Sequence, residues 1–265
     1  MAWDLPSTND INAFRCRDEC STAVMDTFGK VFYDSHYSEV WQRLRPSDDP
    51  PPLFLPHQDL HCLRADFDSD PTKPPQEILG DSEVHIRSEA IVKVAQLLES
   101  NLGPISKVSS FLFFMPLMSP GNPNTEHWIR VHYRPIEPSL AIFASPDDKN
   151  VFISDANRNL ALLASILRII NHLWDYCVEP HTFSKDNITW LSDKNLSANF
   201  CSGLANVLHL YSTIYPDKFP FIANHLRGSV VACLHELLMD VCPNAQKQKC
   251  DFEEERQRKI QKVKY

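Results

Sequence analysis

At 265 residues with 43% hydrophobic side chains, the chain has enough apolar material for a sizeable core, in one domain with an extension or in two small domains. Its formal net charge of −8, with Lys and Arg clustered only at the C-terminal end, argues against a general nucleic-acid binder, which neutralises phosphates with basic patches. No stretch reaches the roughly 18 apolar residues of a membrane span, and Met1 to Pro6 has neither the basic start nor the apolar run of a signal peptide. The cysteines at 16, 20, 62, 177, 201, 233, 242 and 250 are therefore expected as reduced thiols, in the cytoplasm or nucleus.

In chain order, residues 1–45 carry two helix-like runs, around Ala23 to Tyr33 and Ser38 to Leu44, the first interrupted by Gly29. Residues 46–75 are rich in Pro and Asp, with Pro50, Pro51 and Pro52 in succession, and read as an extended linker. A main domain is expected over 76–242. It opens with a helix over Ser88 to Leu102, where Ile91, Val94, Ala95 and Leu98 share a face. Short apolar runs at Ser109 to Met118, His127 to Tyr133, Leu140 to Ala144 and Val151 to Ser154 read as strands separated by Pro and Asp turns. Helices follow over Asn159 to Trp174, from Cys201 to Tyr211, and over Phe219 to Val241, with Gly228 the point in the last where a break is expected if it has one. Residues 243–265 form a charged tail. Strands gathered in the middle with helices on either side predict an α+β domain, a central mixed sheet of about four to five strands flanked by helices.

The stretch with most chemical content runs from Trp190 to Tyr211. A polar loop delivers Cys201 to the first turn of a helix, where unpaired N–H groups and the helix dipole favour thiolate over thiol. A cysteine nucleophile needs a base and the base an orienting acceptor. His127 opens a strand after a turn-rich loop, Asp155 closes the run Val151 to Ser154, and Asn195, six residues before Cys201, offers an amide N–H for an oxyanion.

The set Phe114-Met-Pro-Leu117, His127-Trp128, an apolar run ending in Ser154-Asp155, Trp190 and a loop into Phe200-Cys201-Ser-Gly resembles the cysteine proteases of ubiquitin-like modifiers, the group of the SUMO-specific and adenovirus proteases. The resemblance spans about residues 76–242 and implies a papain-like fold with His127, Asp155 and Cys201 as triad. It implies Asn195 as oxyanion donor, Trp128 and Trp190 at the substrate channel, no cofactor, and a ubiquitin-like modifier or its conjugates as partner. Positions 195, 200 and 202 hold Asn, Phe and Ser where the family has Gln, Asp and Gly.

Three alternatives stand beside an active peptidase. A relative without catalysis would use the fold to bind a modifier or another protein. A Cys-His-acid set also supports acyl transfer from a thioester. Cys16 and Cys20 with His57, His61 and Cys62 resemble two zinc half-sites, but the gap between the pairs is far longer than in a zinc finger, and no metal is expected.

Overall fold

The computed structural model describes residues 5–17, 20–32, 43, 49–58, 60, 108–117, 127–135, 139–173, 188–193, 196, 200–214 and 227–242. The expected helix over Ser38 to Leu44, apart from Arg43, the one over Ser88 to Leu102, and the tail lie outside them. The elements are α1 (Thr8–Arg17), α2 (Thr22–Phe32), β1 (Leu53–Phe54), β2 (Phe111–Pro116), β3 (Trp128–Arg134), β4 (Ser139–Phe143), α3 (Pro146–Ser154), α4 (Ala156–Leu173), β5 (Ile188–Leu191), α5 (Ser202–Ile214) and α6 (Arg227–Val241). Five strands form one mixed sheet in the order β1-β2-β3-β4-β5, so the α+β expectation holds. The two central pairings are antiparallel and the two outer ones parallel.

Both faces of the sheet are covered, which explains why Phe111 to Leu117 is an unbroken apolar run rather than an alternating one. Successive side chains of β3 point to opposite faces. Arg130 bonds to His209 of α5 on one face, and Tyr133 donates its buried hydroxyl to Asn171 of α4 on the other, at 2.7 Å. α5 and α2 therefore cover the face of Trp128, Arg130 and His132, and α4 covers the face of Ile129, Val131 and Tyr133. α1 and α6 pack against α2 from outside.

Three expectations need correction. Within the segment read as linker, Leu53 and Phe54 are a buried strand paired with Phe111 and Leu112, because the prolines that deny donors still leave alternate groups to bond at a sheet edge. The segment is also tied to the N-terminal helices. Buried Asp26 of α2 accepts the backbone N–H groups of His57 at 2.6 Å and Gln58 at 2.8 Å. Gly29 does not interrupt α2. A Cβ there would lie 1.9 Å from the Phe54 ring, so glycine is what lets helix and strand approach. The third correction concerns Val151 to Ser154, which ends α3 and is no strand. Its β-branched residues suggest extension, but only Phe152 is buried, while Ile153 is 44% exposed.

The β3–α5 face holds two imidazoles in the neutral form. His132 is pushed down to about 4 by burial and then by the charges of Arg134 and Arg130. His209 is likewise pushed to about 4, by burial and then Arg130, with Asp193 opposing. Its Nδ1 accepts from the Arg130 guanidinium at 2.7 Å while its ring stacks on Phe143 at 3.8 Å. The unfolded chain takes up these protons near the ordinary 6.5, and the folded chain only near 4. The stability they contribute is thus fully present above 6.5 and is lost as pH falls towards 4. The urea midpoint should drop across that window, and drop less in His132→Leu. A midpoint equally steep in both chains would remove His132 from the account.

Candidate active site

The site is assembled where the start of α5 meets the start of β3. Leu204, Val207 and Leu208 are buried on one side of α5 and fix the helix against the sheet, which sets Cys201 immediately before its first residue, Ser202. The Ser202 hydroxyl accepts the Trp128 N–H at 2.6 Å and donates to the Trp128 carbonyl at 2.9 Å. Fully buried Asn206, one turn on, donates its amide to the same carbonyl and to the Ser202 carbonyl, both at 2.9 Å. The backbone on either side of this clamp carries Cys201 and His127. Serine at 202 therefore locks the cysteine's helix to the histidine's strand, something glycine lacks the side chain to do.

His127 donates its Nδ1 proton to Asp148 at 2.8 Å, with the imidazole partly open to solvent and the carboxylate buried. This fixes the tautomer in which Nε2 is left to exchange a proton. Asp148 is held by its own helix. Ser145 caps α3, its hydroxyl accepting the Asp148 N–H at 3.0 Å, while the other carboxylate oxygen accepts the Ser145 N–H at 3.2 Å and hydroxyl at 2.6 Å. One carboxylate thus completes a capping box and orients an imidazole.

The expected acid, Asp155, is not the partner of His127. It is the C-cap of α3, two helical turns beyond Asp148, and its backbone N–H bonds to the Val151 carbonyl. The spacing of Ser145-Pro146-Asp147-Asp148, a capping serine with an acid three residues on and proline at the first helical position, is the sequence signal for α3 and so for Asp148. Read instead as a turn, it gave way to a strand ending at Asp155.

Cys201 is half-buried, and its thiol is driven below the ordinary range. A hydrogen bond from Cys20 is the largest cause, opposed by burial; the N–H groups of Leu204 and Gly203 then lower it, with the Asp148 charge opposing. The Cys20 thiol is driven up, by that same contact, by burial and by the charge on Cys201. The Leu204 and Gly203 N–H groups at the start of α5 favour the charge on Cys201 over Cys20.

The two tryptophans differ from expectation. Trp128 is 2% exposed, packs edge-on against His57 at 5.9 Å and donates its indole N–H to the Cys20 carbonyl at 3.1 Å. Trp190, in β5, lies edge-on to Phe152 at 5.4 Å with the Lys149 ammonium 5.1 Å from its ring centre, and so braces α3. Phe200 is buried in the core. Asn195 lies outside the described residues, as do His61 and Cys62 of the zinc alternative. Among the described residues no group of three His, Cys, Asp or Glu side chains could hold a metal ion, and no helix is long and apolar enough to cross a membrane.

The sequence matches no protein-family model and no curated protein. Among solved structures, a crystal structure of a de-sumoylating protease is similar, with a TM-score of 0.44 and 12% identity over 92% of this chain and 90% of that one.

Proposed function

We propose that the protein is a cysteine peptidase or isopeptidase that cleaves after the C-terminal glycine of a ubiquitin-like modifier. The observation that carries the reading is the clamp between Ser202 and Trp128, which ties the helix start of Cys201, a thiol lowered from its ordinary range, to the strand of His127, whose imidazole is oriented by buried Asp148. The substrate class follows from the motif resemblance around His127-Trp128 and Cys201.

In this reading the Cys201 thiolate attacks the scissile carbonyl carbon. His127 gives its proton to the departing amine, leaving a thioester on Cys201. Water, deprotonated by His127, then attacks the thioester, and the modifier leaves as a carboxylate. Asp148 takes the orienting role that the resemblance gave to Asp155, and holds the imidazolium when it forms. The resemblance assigns the oxyanion to Asn195, and N–H groups at the helix start are suited to share it.

The burial of Trp128 beneath the Cys20 segment favours a second reading, in which the fold binds a modifier without cleaving it. A panel of ubiquitin-like modifiers carrying C-terminal electrophiles separates the two. One of them should form a covalent adduct on the native chain and none on Cys201→Ala. No adduct, at concentrations that fully label an active protease of this class, would overturn the peptidase reading in favour of binding alone.

A further inference from the structure

Cys20 is a second thiol at the site, and the mechanism does not use it. Its position is held by three independent features. The Trp128 indole anchors its carbonyl at 3.1 Å. Gly203, two residues after Cys201, leaves room for it: a Cβ on 203 would stand 2.5 Å from the Cys20 Cβ and 2.9 Å from its sulfur. Its side chain is hydrogen-bonded to that of Cys201. Two hydrogen-bonded thiols, one immediately before α5 and one on the connection between α1 and α2, are a dithiol rather than two unrelated core cysteines.

We propose that Cys20 and Cys201 form a reversible disulfide when the protein meets a hydroperoxide, with Cys201 as the attacking and Cys20 as the resolving thiol. In the first step the Cys201 thiolate attacks the outer peroxide oxygen. The O–O bond breaks, sulfur loses two electrons, the departing alkoxide or hydroxide takes up a proton, and Cys201 becomes a sulfenic acid. In the second, the Cys20 sulfur attacks the sulfenic sulfur. The S–O bond breaks, the S–S bond forms, and hydroxide leaves with the Cys20 proton as water.

The contact that keeps Cys20 protonated beside a thiolate disappears once Cys201 is a neutral sulfenic acid, so the first step itself releases the resolving thiol. The disulfide protects Cys201 from the irreversible sulfinic and sulfonic stages. It also joins α5 to the segment that covers Trp128, closing the site until a dithiol reductant reopens it. This last consequence rests on the peptidase reading; the disulfide does not.

The test uses the full chain and hydrogen peroxide. Reduced native protein, Cys20→Ser and Cys16→Ser are each exposed to the same dose, blocked with an alkylating agent and mapped by mass spectrometry without reduction. The native chain and Cys16→Ser should yield a linked Cys20–Cys201 peptide, and dithiothreitol should return nearly all of the Cys201 thiol. Cys20→Ser should yield no link and accumulate Cys201 sulfinic and sulfonic acid, with almost none recovered. A native chain without the linked peptide, or with as much Cys201 sulfinic acid as Cys20→Ser, overturns the proposal. Should Cys20→Ser fail to fold, the presence or absence of the linked peptide in the native chain decides alone. Because the readout is the thiol state, a linked peptide in a chain that no modifier electrophile labels would retain this proposal and reject the peptidase.

Discussion

Asp148→Asn is expected to lower kcat/KM by about 10⁴-fold, the scale seen when the orienting carboxylate of a triad becomes an amide. The reason is local. The His127 Nδ1 proton now goes to a carboxylate oxygen at 2.8 Å. An asparagine can turn its NH₂ towards the ring and force the other tautomer, whose Nε2 carries the proton and accepts none. In that orientation the amide oxygen still faces Ser145 and keeps the contacts to its N–H and hydroxyl, so the loss in folding stability should not exceed about 1 kcal/mol. KM should stay near its native value, because Asp148 acts through His127 and not on the substrate. Asp155→Asn is the control. At the C-cap of α3 it has no bond to the imidazole, and its kcat/KM should be indistinguishable from native. A loss in Asp155→Asn with Asp148→Asn active would restore the acid read from the sequence.

Asn206→Leu should cost about 2–3 kcal/mol of stability, since it removes a donor from the buried Trp128 carbonyl and another from the part-buried Ser202 carbonyl, and the melting temperature should fall by about 5–10 °C. The Asn206 Oδ1 is buried without a hydrogen-bond partner among the described residues, so the side chain is retained for its N–H groups. Ser202→Gly should be milder in stability and more severe in turnover. It deletes both hydroxyl contacts to Trp128 and frees the cysteine's helix start from the strand after His127. The double variant should cost less than the sum of the two, because both residues serve the Trp128 carbonyl. Calorimetry and steady-state kinetics on the same preparations separate the two effects. Strict additivity would mean that the clamp is not a unit.

The sheet was legible where burial on both faces produced dense apolar runs, as at Phe111 to Pro116 and Trp128 to Arg134. The helix after Cys201 was legible through Leu204, Val207 and Leu208, whose spacing keeps one face in the core. β1 was hidden because two residues among prolines carry no period, and its pairing with β2 is a long-range fact. The acid was displaced because Val151-Phe-Ile has the composition of a strand, while the signal that overrides it, a serine cap three residues before an acid, lies just upstream. Ser202 looked like the loss of a glycine. Its value as a clamp depends on Trp128, 74 residues away, and no local pattern carries that. The pairing of Cys20 with Cys201 is equally non-local, and the sequence offered Cys20 only a distant zinc alternative.

The central claim is that Cys201 is held as a thiolate at the start of α5. Competitive alkylation with limiting iodoacetamide at neutral pH, resolved by peptide mapping, tests it most directly, because Cys16 and Cys233 are exposed while Cys201 is half-buried. If ionisation governs, Cys201 is modified ahead of both despite its poorer access, and the advantage shrinks in Cys20→Ser. If Cys16 and Cys233 react first and Cys201 follows in order of exposure, the site holds an ordinary buried thiol and the account is wrong.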